Sequence, residues 1–153
     1  MFFSCVTLGI IWVPIGPYRK GLGLNYIISL IKPNLIFSIK KNSKNIPRKF
    51  VNKIFNITKE LKNLTQKPNR ILNIKKENKI SCILFTSGTT GPPKGVMISH
   101  DNICWTSQNV QENYLHLSHE ERVVSYLPLS HIAGQLTDIY LPIWVGGCAY
   151  FAQ

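Results

Sequence analysis

Acidic residues are scarce in this chain. Its 153 residues hold 7 Asp and Glu against 18 Lys and Arg, a formal charge of +11. The shortage is local. Residues 1–80 carry sixteen Lys/Arg against only Glu60 and Glu77, whereas residues 81–153 carry Lys94 and Arg122 against five acids. A basic half can serve nucleic acid or an anionic membrane surface. Arginine is rare within it, aromatic and basic residues are not interleaved, and no nucleic-acid-binding motif occurs. Nucleic acid is therefore not an expected partner, and a solvated lysine-rich surface is the preferred reading. Cysteine is also sparse: Cys5, Cys82, Cys104 and Cys148, none in C-x-x-C. That spacing argues against a zinc site or a redox pair, and the four read as small buried hydrophobes of a reducing compartment. No uninterrupted apolar run reaches the length of a membrane span. The apolar N-terminus lacks a basic leading region and is broken by Pro14, Gly16 and Pro17, so a signal peptide or anchor is not expected. His116 and His119 stand three apart with no carboxylate or Cys organised around them, so no metal site is expected. The glycosylation-type triplets Asn56-Ile57-Thr58 and Asn63-Leu64-Thr65 read as chance matches in a Lys/Asn-rich stretch.

What is present is concentrated in one run. Ile80-Ser81-Cys82-Ile83-Leu84-Phe85 is strongly apolar and reads as a buried strand. It leads into Thr86-Ser87-Gly88-Thr89-Thr90-Gly91-Pro92-Pro93-Lys94-Gly95. Glycines let the backbone turn tightly and approach a ligand closely. Successive amides can then converge on an anion. Ser87, Thr89 and Thr90 add hydroxyl donors, and Lys94 adds a mobile positive charge. Such a loop is built to hold phosphates. It is not the Walker loop, G-x-x-x-x-G-K-[ST], although Gly88 and Lys94 have its separation. Pro93 replaces the second glycine, and Gly95 replaces the hydroxyl that would face Mg2+.

The remaining pattern alternates strand and helix, which predicts an α/β fold with a largely parallel sheet and flanking helices. The length is one domain's worth. Residues 1–79 form a basic upstream region, and residues 80–153 carry the loop. Leu24–Pro33 reads as a short helix and Leu35–Ile39 as a strand. From Ile46 to Leu64, apolar residues at 46, 50, 51, 54, 55, 57, 61 and 64 follow a helical period. Asn45 is the expected N-cap there, with Pro47 in the first turn. Such a basic amphipathic helix can lie on a membrane, but packing on the sheet between strands Leu35–Ile39 and Ile71–Ile74 is preferred. Ser99 is the expected N-cap of a helix reaching about Tyr114, with Asn102 at its third position. Val123 to Tyr126 reads as a strand, followed by Leu127-Pro128-Leu129-Ser130-His131-Ile132-Ala133-Gly134.

The hydroxyl- and glycine-rich loop ending in Pro-Lys-Gly resembles that of the adenylate-forming superfamily. This group includes acyl-CoA synthetases, luciferases, coumarate-CoA ligases and peptide-synthetase adenylation domains. The Leu127-Pro128…His131…Gly134 run resembles its second motif. Asp101-Asn102-Ile103-Cys104-Trp105-Thr106, Tyr126–Gln135 and Ile139–Gln153 are most similar to bubblegum-type long-chain fatty acyl-CoA synthetases. The resemblance implies ATP, Mg2+ and coenzyme A, with a fatty acid as the other substrate. It also implies that Thr86, Ser87, Gly88, Thr89, Thr90, Gly91, Pro92, Pro93 and Lys94 hold the nucleotide phosphates. Lys94, Thr89 and Thr90 would stabilise the transferring phosphates, and His131 would stand on the acyl side. No Tyr-Gly-x-Thr-Glu or Tyr-x-Thr-Gly-Asp segment of that family occurs, nor its C-terminal domain. The chain is therefore expected to be part of the large N-terminal domain of such an enzyme, poorly soluble and inactive alone. A luciferase-like or coumarate-type ligase, or a nucleotide-binding pseudoenzyme, is the alternative. The expected location is cytoplasmic, with peripheral contact to the endoplasmic reticulum or other membranes left open.

Overall fold

The computed structural model describes residues 2–59, 79–86 and 91–151. Their contacts divide them into two units. The first holds residues 2–16, 79–84 and 95–151; the second holds 17–59, 85–86 and 91–94.

In the first unit, helix α1 (Phe2–Thr7) is followed by an extended segment. Trp12 of that segment bridges Cys82 in parallel. The Trp12 amide donates to the Ser81 carbonyl and the Ile83 amide donates to the Trp12 carbonyl, both at 3.0 Å. The partner is β3 (Ile80–Thr86), whose Ser81, Cys82 and Leu84 are buried. β3 also pairs with β4 (Lys94–Ser99). β4 ends at Ser99, which caps α4 (His100–Val110) as the sequence predicts. The Ser99 hydroxyl accepts from the Asn102 amide at 3.0 Å, and the Asn102 side-chain oxygen accepts from the Ser99 amide at 3.1 Å. This reciprocal pair satisfies two amides that would otherwise have no helical partner. A π-helical turn, Gln111–Leu115, extends the helix to the expected region, and His116 closes it in the left-handed conformation at φ 47°. β5 (Arg122–Ser125) and β6 (Cys148–Phe151) pair in parallel, Arg122 opposite Cys148 and Ser125 opposite Phe151. The crossover between them is helical: α5 (Ile132–Gln135), a π-helical stretch Leu136–Tyr140, then α6 (Leu141–Val145). Cys82, Leu84, Ile139, Tyr140 and Leu141 form the apolar core of this unit, shared with buried Gln135 and Asp138.

The second unit is built on α2 (Gly21–Ile31), which buries Leu24, Ile27 and Ile28. Lys32 ends it in the left-handed conformation, its amide donating to the Ile28 carbonyl at 3.0 Å. β1 (Ile36–Ser38) follows, then the single turn α3 (Lys40–Ser43). The continuous helix expected over Ile46–Leu64 is not formed. A 3₁₀ helix, Arg48–Lys53, gives way to β2 (Ile54–Asn56), parallel to β1 with Ile36 opposite Ile54. Pro47, not Asn45, stands at the N-cap of that turn. The reason is local. Ile54 and Phe55 favour a strand, and Phe55 meets Phe37 across the ladder with ring centroids 5.8 Å apart. Asn56 then stops the strand, its Oδ1 accepting from the Thr58 and Lys59 amides at 3.1 and 3.4 Å. The expected strand Ile71–Ile74 lies outside the described residues. Nor is every lysine here merely solvated. The Lys53 ammonium donates to the Pro33 carbonyl at 2.8 Å, and Lys49 and Lys53 both stand over the buried Phe50 ring.

Among the described residues the strands form three two-stranded sheets, two of them of known parallel register. All four cysteines are unpaired; Cys82 is buried, but Cys104 and Cys148 are exposed, contrary to the expectation for all four. A lone cysteine follows whichever face its position takes, and no periodic pattern fixed that face at 104 or 148. Among the described residues no helix is long and apolar enough to cross a membrane.

Candidate phosphate loop and histidine motif

Ser87, Gly88, Thr89 and Thr90 lie outside the described residues. Their flanks are well defined. Thr86 is the last residue of β3, and its hydroxyl donates to the Lys94 carbonyl at 3.5 Å. The two ends of the loop therefore meet. Proline cannot donate to a strand ladder, so Pro92 and Pro93 set where β4 starts. Lys94 is its first residue and is exposed. Gly91 is exposed too, with open space where a Cβ would stand. Lys94 thus presents an ammonium from a backbone-anchored position beside the end of a buried strand.

The second motif begins where β5 ends. Leu127-Pro128 turns the chain, and the His131 amide donates to the Pro128 carbonyl at 2.9 Å. His131 is the N-cap of α5 in an extended conformation, φ −106° and ψ 144°. Its side chain makes no capping bond and is exposed. Gly134 explains the motif's glycine. A Cβ there would stand 2.8 Å from the Pro128 carbonyl oxygen and 3.2 Å from the Leu127 Cβ. Only a residue without a side chain lets α5 lie this close to the Leu-Pro turn.

Beneath the motif is a buried polar cluster that pattern reading missed. Gln135 is fully buried; its Nε2 donates to the Leu129 carbonyl at 2.7 Å, and its Oε1 accepts from the Tyr140 hydroxyl at 2.6 Å. The Cys82 Sγ lies 3.9 Å from both Gln135 Oε1 and the Tyr140 hydroxyl. Burial pushes the Cys82 thiol up, and burial with the neighbouring Cys82 pushes the Tyr140 phenol well up, so both stay neutral. Beside them Asp138 is buried, its carboxylate accepting from the Ser125 hydroxyl at 2.5 Å and the Thr137 hydroxyl at 2.7 Å. The available signal was a Gln and an Asp inside an otherwise apolar helical stretch. Buried polar groups of that kind need named partners. Among the described residues no group of three or more His, Cys, Asp or Glu could hold a metal ion.

The parallel strand pairs with helical crossovers make this an α/β fold. It is the fold of the ATP-bound MatB of Rhodopseudomonas palustris, at a TM-score of 0.84 and 19% identity, over 99% of this chain and 32% of that one. VinN in complex with L-aspartate shares it at a TM-score of 0.85 and 18% identity, over 100% of this chain and 40% of VinN. The chain belongs to the AMP-binding enzyme family, whose profile matches residues 1–153. Among curated relatives, the long-chain-fatty-acid–CoA ligase ACSBG2 of Homo sapiens is 50% identical over 84 residues, which is 55% of this chain. The long-chain-fatty-acid–CoA ligase ACSBG1 of Bos taurus is 45% identical over 89 residues, 54% of this chain. The chain spans 13% of the length of the human relative and 12% of the bovine one.

Proposed function

We propose that the complete gene product containing residues 1–153 activates a long-chain fatty acid with ATP to an acyl-adenylate and pyrophosphate. The thiol of coenzyme A then displaces AMP to give the acyl-CoA thioester. The observation that carries this reading is the 50% identity to a long-chain-fatty-acid–CoA ligase in a chain with this loop. The same relatives favour it over a luciferase-like or coumarate-type ligase.

The chemistry assigns roles. A carboxylate must attack the α-phosphorus of a highly anionic triphosphate. Fixed donors and positive charge lower that barrier. The amides from Ser87 to Gly91 and the hydroxyls of Thr86, Ser87, Thr89 and Thr90 would hold the phosphates. Gly88 and Gly91 leave room for their approach. Pro92 and Pro93 fix the point from which Lys94 reaches the leaving pyrophosphate. His131 would orient the carboxylate on the acyl side. Mg2+ enters this reading as part of the MgATP substrate. The reading includes a cytoplasmic location, with peripheral contact to the endoplasmic reticulum or other membranes left open.

ATP–pyrophosphate exchange by the complete gene product is the test. Exchange that depends on a long-chain acid is expected. Absence of exchange with acids of every chain length sinks the reading and leaves a nucleotide-binding pseudoenzyme. His131→Ala should lower kcat/KM for the acid about tenfold or more, the lower end of what a positioned acid or base contributes. The KM for ATP should hardly move. Equal losses toward acid and ATP would remove His131 from the acyl side.

A further inference from the structure

We propose that Gln135 is a positioning residue for His131, itself held in place by Tyr140 and Cys82. This rests on the acyl-side reading of His131. His131 projects an exposed side chain from a turn whose backbone is tied at several points. Its amide bonds the Pro128 carbonyl, and its carbonyl accepts from the Gln135 amide at 3.1 Å. The Gln135 side chain adds the Leu129 carbonyl, two residues before the histidine. One residue thus grips the turn on both sides of Ser130.

The orientation of the Gln135 amide is determined by its partners. A carbonyl can only accept, so Nε2 must face Leu129. Oε1 then faces Tyr140, whose hydroxyl donates to it. Raising the phenol's pKa keeps that proton on Tyr140. The Cys82 thiol closes the cluster from β3, the strand that ends in the phosphate loop at Thr86. Gln135 is fully buried, Tyr140 nearly so and the Leu129 contact partly so, so a lost partner is costly to replace with water. A loosened Leu129 carbonyl therefore displaces the turn, and His131 with it. A misplacement of this size need not unfold the protein to slow a reaction that depends on alignment.

Gln135→Glu keeps shape and the Tyr140 acceptor but sets a carboxyl against the Leu129 carbonyl. In the complete gene product it should lower kcat/KM for the acid about tenfold while leaving the KM for ATP within about twofold. In a His131→Ala background it should add nothing, because both changes act through one group. Additive losses would overturn the proposal. Tyr140→Phe, which removes only the hydroxyl, should give the same pattern and serves if Gln135→Glu does not fold. A second readout does not depend on turnover: the imidazole NMR signals of His131 should shift or broaden in both variants. Unchanged His131 signals in both would overturn the proposal even in an active enzyme. Shifted signals without exchange activity would support the positioning role and sink the fatty-acid reading instead.

Discussion

Residues 95–151 and residues 17–59 are both helix-and-strand stretches of similar apolar content, yet they are specified differently. In the first, polar side chains with named partners mark the key points. Ser99 and Asn102 open α4, Gln135 ties the histidine turn, and Asp138 gathers the Ser125 and Thr137 hydroxyls. In the second, apolar packing on Leu24, Ile27, Ile28 and Phe50 dominates, and the polar contacts come from lysines and from Asn56 at a strand end. Polar contacts are directional and leave a sequence signature. Apolar spacing is shared by helix and strand over short runs, so it locates a segment without deciding its type.

The largest expected effect lies at the candidate loop, which belongs to neither stretch. Lys94→Ala should remove one preorganised charge from the transferring phosphates. The expected cost is about 3 kcal/mol, roughly a hundredfold in pyrophosphate release. A change of only a few-fold would show that strand-anchored Lys94 is not the phosphate cation, and the loop's claim to the chemistry would fall back on the hydroxyls alone.

Next is Gly134→Ala. Alanine should favour the helix by about 1 kcal/mol. Its Cβ would stand 2.8 Å from the Pro128 carbonyl oxygen, however, and a backbone atom cannot swing aside. Overpacking of this kind costs about 1–3 kcal/mol. The net expectation is a lower Tm with a displaced His131. A higher Tm would mean that α5 does not lie on the Leu-Pro turn.

The buried thiol and phenol give a pH prediction of smaller size. Both folded pKa values are raised, above ordinary values of 9.0 for Cys82 and 10.0 for Tyr140. In that window the unfolded chain releases protons that the folded chain retains. Stability is therefore full below pH 9.0 and falls as pH rises above it, more steeply past 10.0. Alkaline melting curves should show this decline, and Tyr140→Phe should flatten its upper part. A wild-type Tm that is level across the range would mean the cluster opens to solvent.

The same distinction explains what could be read from the residues alone. The strand before the phosphate loop was legible because Ile80–Phe85 is apolar and ends at an abrupt change to glycine and hydroxyls. The cap at Ser99 was legible because both halves of the box lie three residues apart. The strand at Ile54–Asn56 was not, since residues 46–57 fit a helical stripe and only pairing with Ile36–Ser38 decides otherwise. Gln135 stood out only as a polar residue in an apolar stretch; its role was not legible because its partners, Leu129, Tyr140 and Cys82, are brought together by the crossover and not by any one local pattern.

Two alanine substitutions at strand ends sharpen the contrast at the scale of single caps. Ser99→Ala breaks a reciprocal pair that opens an eleven-residue helix, and a lost cap of this type costs about 1 kcal/mol. Asn56→Ala removes a side chain that also accepts two amides, but at 3.1 and 3.4 Å and without the reciprocal bond of a capping box. The second distance is near the limit of a useful bond. Its loss should be smaller, roughly half as large, within the low end of cap effects. Chemical denaturation of both variants decides the point. If Asn56→Ala costs as much as Ser99→Ala, polar punctuation specifies residues 17–59 as strongly as residues 95–151, and the Asn56 bonds to the Thr58 and Lys59 amides, rather than the apolar ladder of Phe37 and Phe55, are what stop the Ile46–Leu64 stripe from becoming one helix.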